Sequence, residues 1–225
     1  MPASLKTKIL RRLERYAGQC SAAASSRLVD GAVDKAGFVR ARDIPTHMTR
    51  GELDALYTLA TQLGPTPRIL EIGSYLGASS RFLAAALPAG GKLFCVDTWN
   101  NETMPEGTRE TLPEFERNVA AFAGRIVKVR KDSKDLAASD IELPLDLVFI
   151  DGDHSFAAVR RDFDAVAPWV ADAKFVAFHD TTYFRGVSRV LGQALDSGQW
   201  QMGGHIDSLV WLRKAAGQAH DFPNE

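Results

Sequence analysis

Cysteine is almost absent from this chain. Cys20 and Cys95 are the only two, they form no CxxC pair, and Cys95 lies inside the strand-like run KLFCVD. That argues against both a disulfide framework and a structural zinc site. Charge of one sign is also missing: the formal net charge is −1, so there is no global basic field of the kind that gathers nucleic acid. No apolar run approaches the roughly 18 residues that a membrane-spanning helix needs. There is no internal repeat. What remains is one globular core of ordinary apolar content, with small molecules or proteins as expected partners and the cytoplasm as the default location.

The first residues set a small problem of their own. In LKTKILRRLERY, Leu5, Ile9, Leu13 and Tyr16 make a helical stripe, set among Lys6, Lys8, Arg11, Arg12 and Arg15 with Glu14 as the single acid. A signal peptide would need an uninterrupted apolar core, which this stretch lacks. The stripe suits a helix docked on its own protein or on a second subunit, and a basic amphipathic helix can also rest on an anionic membrane surface. Residues 1–48 are therefore expected to form a helical extension, 49–213 the main domain, and 214–225 a frayed tail.

From residue 48 the pattern becomes regular. Thr49 and Glu52 have capping-box spacing, Met48 and Leu53 have staple spacing, and Leu53, Leu56, Tyr57 and Ala60 supply an apolar face. Strand-like runs follow at 68–73, 92–97, 125–130, 145–151 and 174–180, separated by helix-like segments near 77–87, 112–123 and 156–170, with a further one at 186–196. Alternating strands and helices predict a doubly wound α/β domain whose parallel sheet is covered on both faces. Ligands in such sheets bind beyond the carboxyl ends of the strands. The insertion NNETMPEGTRETLP, residues 100–113, falls at one of those ends, where a loop can act as a lid.

Three strand ends carry nucleoside-binding chemistry. LEIGSYLGASS turns through Gly73 and opens a helix around Gly77, but it is not GxGxxG. Tyr75 stands where backbone would approach a pyrophosphate, which disfavours a dinucleotide. Asp97 ends the next strand at the place where an acid reaches ribose hydroxyls, Thr98 follows it, and the Trp99 indole could lie on an adenine face. Asp132 and Ser133, after the third strand, offer polar groups to the adenine edge.

On LVFIDGDHSFAAVRRDFDAV followed by FVAFHD, the chain resembles the class I S-adenosylmethionine-dependent methyltransferases over residues 49–213. Within them it is similar to metal-dependent O-methyltransferases acting on sugar hydroxyls of natural products and glycans, whose metal positions resemble those of the catechol-type enzymes. The resemblance implies a seven-stranded Rossmann-like sheet. It places Glu71 and Gly73, with Ser74 and Tyr75 of the same turn, at the methionine part of the cofactor. It implies Asp97 at the ribose, Thr98, Trp99, Asp132 and Ser133 around the adenine, and Asp151 beside both cofactor and metal. Asp151, His179 and Asp180 are the implied metal ligands. His179 departs from the family pattern, where an acid is commoner, so manganese or iron becomes thinkable beside magnesium.

Asp151 and Asp180 end strands expected to be neighbours, roughly 4.8 Å apart, close enough for both carboxylates to touch one cation. Asp153 and His154 are the two candidates for the base, with His154 preferred because imidazole titrates near neutrality. A catechol-type or metal-independent methyltransferase, or a non-catalytic protein that binds S-adenosylmethionine, would share the same cofactor residues. A nicotinamide oxidoreductase of the common short-chain kind is disfavoured, because no tyrosine has a lysine four places on.

Overall fold

The computed structural model describes residues 26–102 and 106–216. The basic stripe at 5–16, Cys20 and most of the expected tail lie outside them. Seven strands form one sheet: β1 (Arg68–Ile72), β2 (Lys92–Asp97), β3 (Ile126–Arg130), β4 (Leu145–Ile150), β5 (Val170–Phe178), β6 (Trp200–Ile206) and β7 (Leu209–Lys214). Their order is β3-β2-β1-β4-β5-β7-β6. The first five run parallel, and β7 pairs antiparallel with both β5 and β6. Strand order reverses between β1 and β4, which is where such sheets open a binding crevice.

The helices are α1 (26–33), α2 (Arg50–Thr61), α3 (Ala78–Ala86), α4 (Leu112–Val119), α5 (Phe156–Val166) and α6 (Arg185–Asp196). Alternate strand residues feed two cores, as period-2 side chains must. Ile69, Leu93, Cys95, Leu147 and Phe149 pack with Leu56, Phe82 and Phe115 of α2–α4. Leu70, Phe94, Val96, Val148 and Phe178 pack with Val159, Phe163, Val187 and Val190 of α5 and α6. Both faces are covered, which is why these strands read as apolar throughout.

The start of α2 forms as its sequence predicts. Thr49 caps it, and Glu52 accepts from the Thr49 amide at 2.8 Å, completing the capping box. Val29, Val33, Ala41 and Met48 share the core of α2 and α3, so residues 26–48 pack as part of the main body. The segment read as one helix over 156–170 stops at Val166, where a single tight turn containing Pro168 leads directly into β5. The strand expected over 174–180 begins earlier, at Val170, and ends at Phe178, leaving His179 and Asp180 beyond it. The hairpin of β6 and β7 had no legible local signal, because Gly203 and Gly204 break the alternation. A Cβ at either glycine would strike the Trp211 ring, so their smallness lets that indole lie across β6.

Candidate active site

A cavity of about 720 Å³ opens beyond the carboxyl ends of β1, β2, β4 and β5. Most of the expected site residues line it: Gly73, Ser74, Tyr75, Asp97, Thr98, Asp132, Ser133, Asp151, Asp153, His154, His179 and Asp180. Pro45, Thr46, His47 and Met48, just before α2, form a further wall. Asn101, Glu102 and Thr111 bring the ends of the expected lid to the same rim.

The turn after β1 is shaped by backbone proximity. Gly73 has φ +86°, and a Cβ there would overlap the Asp151 carbonyl, so only glycine lets β1 and β4 end side by side. Gly77, at φ +87°, admits Phe115 and Val119 of α4 against the start of α3. Asp97 holds this turn as well as facing the cavity. Its Oδ2 accepts from the amides of Ser74 at 2.8 Å and Tyr75 at 2.9 Å, and its Oδ1 accepts from the Trp99 amide at 2.7 Å. Tyr75 stands at φ +46°, a left-handed conformation those bonds help to hold.

Two expected cofactor residues are placed differently. The Trp99 side chain is fully buried, 4.9 Å from the Phe115 ring, and is not on the cavity wall. Its φ of +53° turns the indole under the loop, so it offers no face to an adenine. Glu71 is also fully buried beneath the turn, where the hydroxyls of Ser74 and Ser80 donate to it. Burial raises its pKa, and its Oε1 has no hydrogen-bond partner among the described residues. Asp132 and Ser133 do reach the cavity. Asp132 pairs with Lys134, and the Ser133 hydroxyl donates to Asp162 at 2.9 Å. Burial raises the pKa of Asp162 in turn.

The acid-rich ends of β4 and β5 come together around two histidines. His179 is buried, and both its ring nitrogens are engaged: Nδ1 faces Asp151 Oδ1 at 3.1 Å, and Nε2 faces Glu52 Oε2 at 3.1 Å. Both nitrogens of His179, the residue expected as a metal ligand, thus face carboxylates in this structure. Burial alone would lower its pKa, yet Asp151 and Asp180 push it up to about 11. Burial likewise opposes ionisation of Glu52 and Asp180, and is outweighed. Ser208, Thr49 and His179 hold Glu52 low, and His179 holds Asp180 low.

His154 takes the position facing the cavity. Its Nε2 lies 3.3 Å from Asp180 Oδ2 and 3.6 Å from Asp151 Oδ1, yet makes no hydrogen bond among the described residues. Its ring stacks on Phe184 at 4.3 Å. That stack depends on Gly186, where any Cβ would collide with the backbone of residues 154–156. Ligand atoms of Asp151, His154 and Asp180 all lie within 4.8 Å of one another. Atoms bound to one cation at about 2.1 Å stand about 3.0–3.4 Å apart, so the three side chains would have to draw slightly closer to share an ion. Asp153 accepts from the Ser155 amide at 2.7 Å, and Ser155 caps α5. The nearby arginines pair with other acids, Arg160 with Asp164 and Arg161 with Asp162.

Glu52 was missed as a site residue because its capping-box spacing already accounted for it. Ser208, which donates to Glu52 through both its amide and its hydroxyl, had no signal at all. Gly186 and Phe184 could have been suspected only from their place soon after the HD pair.

A doubly wound sheet with a glycine turn after β1, an acid ending β2 and further acids ending β4 and β5 defines a nucleoside-cofactor protein of the α/β class. A methyltransferase-domain family model matches residues 70–181. The chain therefore carries a methyltransferase domain over those residues, on a Rossmann-like methyltransferase fold. Solved structures of the same fold include an O-methyltransferase from Bacillus cereus in complex with S-adenosylhomocysteine, 15% identical with a TM-score of 0.61, covering 85% of this chain and 90% of that one. The O-methyltransferase TomG from Streptomyces achromogenes, in complex with S-adenosylmethionine, is 18% identical with a TM-score of 0.59, covering 86% and 90%. CalS11, a TDP-rhamnose 3'-O-methyltransferase of calicheamicin biosynthesis, is 15% identical with a TM-score of 0.56, covering 85% and 93%. In sequence, the protein y4gI of Sinorhizobium fredii is 32% identical over 122 residues, 51% of this chain but only 13% of that protein. Among the described residues no helix is long and apolar enough to cross a membrane.

Two expectations follow from this geometry. Asp97→Asn keeps the side chain's shape but removes a charged acceptor, so S-adenosylmethionine affinity is expected to fall by about 1.5–3 kcal/mol, the range for hydrogen bonds to charged groups. Isothermal calorimetry showing unchanged affinity would sink the ribose assignment. The second concerns pH. Asp151 and Asp180 hold the His179 proton in the folded state up to about pH 11, whereas an unfolded histidine loses it near 6.5. Between those values the native state binds more protons, so stability from this group is complete below the lower value and falls as pH rises. Thermal unfolding from pH 7 to 10 is expected to show a steeper decline in the wild type than in His179→Gln. Parallel slopes would mean that the ring is neutral in the fold.

Proposed function

We propose that this protein transfers the methyl group of S-adenosylmethionine to a hydroxyl of a sugar or similar polyol, assisted by a divalent cation held by Asp151, His154 and Asp180. The observation that carries the reading is the His154 Nε2 atom, buried without a hydrogen bond while two carboxylates stand 3.3 and 3.6 Å away. Two carboxylates and one imidazole make a mixed donor set, which favours manganese or iron over magnesium. When bound, such an ion acidifies the acceptor hydroxyl and fixes its oxygen.

The remaining work falls to the chain's own groups. Asp97, with Asp132 and Ser133, binds the nucleoside end of the cofactor, and the Gly73 turn with Ser74 and Tyr75 holds its methionine end. That leaves the methyl group directed at the cup below β4 and β5. A carbon–oxygen bond forms as the carbon–sulfur bond breaks, and Asp153 takes the proton that the hydroxyl loses. With His154 in the donor set, the role passes to Asp153, the cavity acid next to it in the chain, in place of the imidazole expected from sequence. Alignment of the reacting atoms supplies much of the acceleration. Tyr183, 76% exposed, and Phe184 stand on the cavity wall, where their rings can face the C–H surface of a sugar. CalS11, of the same fold, acts on a sugar, and the reading shares that acceptor class.

The test is incubation with methyl-labelled S-adenosylmethionine and a panel of sugar nucleotides, glycosides and catechols, before and after chelation. Label is expected on a sugar hydroxyl, lost on chelation and restored better by Mn²⁺ than by Mg²⁺. Full activity in protein verified to be metal-free would remove the cation. Label on catechols alone would change the acceptor class.

A further inference from the structure

We propose that Glu52 and His179 are positioning residues for Asp151, forming a buried Glu52–His179–Asp151 chain that aims the Asp151 carboxylate at the cavity. The proposal rests on the reading above in assigning Asp151 to the reacting centre. The chain joins three separate elements: the first turn of α2, the residue after β5, and the residue after β4.

Helix capping does not account for Glu52. A capping box needs one carboxylate oxygen on the N-cap amide, and an exposed glutamate supplies it. Glu52 is instead 1% exposed, and all its other bonds lead inward. Its Oε1 accepts from the Ser208 amide at 2.9 Å and the Ser208 hydroxyl at 2.6 Å, while Oε2 meets His179 Nε2 at 3.1 Å. Burying a carboxylate is costly unless it is paired and hydrogen-bonded. Here the pairing runs on through the imidazole to Asp151 Oδ1, the same oxygen that lies 3.6 Å from His154.

An imidazole held at both nitrogens cannot swing, so it fixes the oxygen it touches. Outer partners of this kind orient the inner carboxylate and set its affinity for an ion. The same joint anchors Thr49, and the residues just before it, Pro45 to Met48, wall the cavity. Asp151 and that wall are thereby referenced to one buried point.

The experiment uses full-length wild type, Glu52→Gln and His179→Gln. The second variant cuts the chain while leaving Glu52 its Thr49 and Ser208 bonds, in case the first fails to fold. Three readouts are taken on folded protein: Mn²⁺ affinity by electron paramagnetic resonance, S-adenosylmethionine affinity by calorimetry, and the carboxyl carbon resonance of Asp151. A folded variant is expected to lose about 10–100-fold in Mn²⁺ affinity, the range for outer-shell partners, with cofactor affinity unchanged and the Asp151 resonance shifted. Unchanged Mn²⁺ affinity together with an unmoved Asp151 resonance would overturn the proposal. If the wild type itself binds no Mn²⁺, the cation reading fails separately, and the Asp151 resonance alone decides whether the chain positions that residue.

Discussion

Asp151→Asn and Asp180→Asn are each expected to reduce methyl transfer to near background while leaving the cofactor bound. Removing an ionised ligand forfeits several kcal/mol of charge stabilisation, roughly 10²–10³-fold in rate. Asparagine keeps the shape at both places. At Asp180 this matters, because the residue stands at φ +58°, a left-handed conformation that asparagine tolerates. At Asp151 the amide oxygen can still accept from His179, so the fold should survive. Single-turnover rates with saturating cofactor, read beside calorimetric affinity for S-adenosylmethionine, make the check. A variant that keeps its rate, or one whose loss is wholly a loss of cofactor binding, would remove that acid from the cation cup.

His154→Ala carries the second large effect. The substitution deletes the ring between the two carboxylates and its stack on Phe184, but leaves the backbone that Gly186 packs against. Turnover is expected to fall by roughly 100-fold, with Mn²⁺ affinity falling alongside it because the only nitrogen donor is gone. The two readouts separate the roles this residue can play. If turnover collapses while Mn²⁺ affinity holds, His154 is the proton acceptor. Its loss should then also abolish the acidic limb of the pH–rate profile. In the ligand reading, Asp153→Asn lowers the rate without touching cation affinity. Activity that survives in Asp153→Asn would return the base to the histidine.

Much of this protein follows from local sequence, since local rules act over short distances. The apolar runs at 68–72, 92–97, 126–130 and 145–150 become strands because alternating residues can enter two cores at once. Thr49 and Glu52 start α2 because the box closes within one turn. Acids gather on one edge of the sheet because parallel strands all end on the same side, so Asp97, Asp151 and Asp180 were bound to meet one cavity.

What local rules could not decide was where a side chain points after its strand stops. His179 and His154 each sit beside an aspartate in the sequence, and only the approach of Glu52 from 127 residues away engages the outer nitrogen of one and leaves the other without such a partner. Trp99 looks like an adenine platform until Phe115 of α4 packs against it. The different surroundings of the two histidines are thus a product of tertiary contact. A buried carboxylate on α2 demands donors, and Ser208 and the His179 imidazole meet it from elements far away in the sequence.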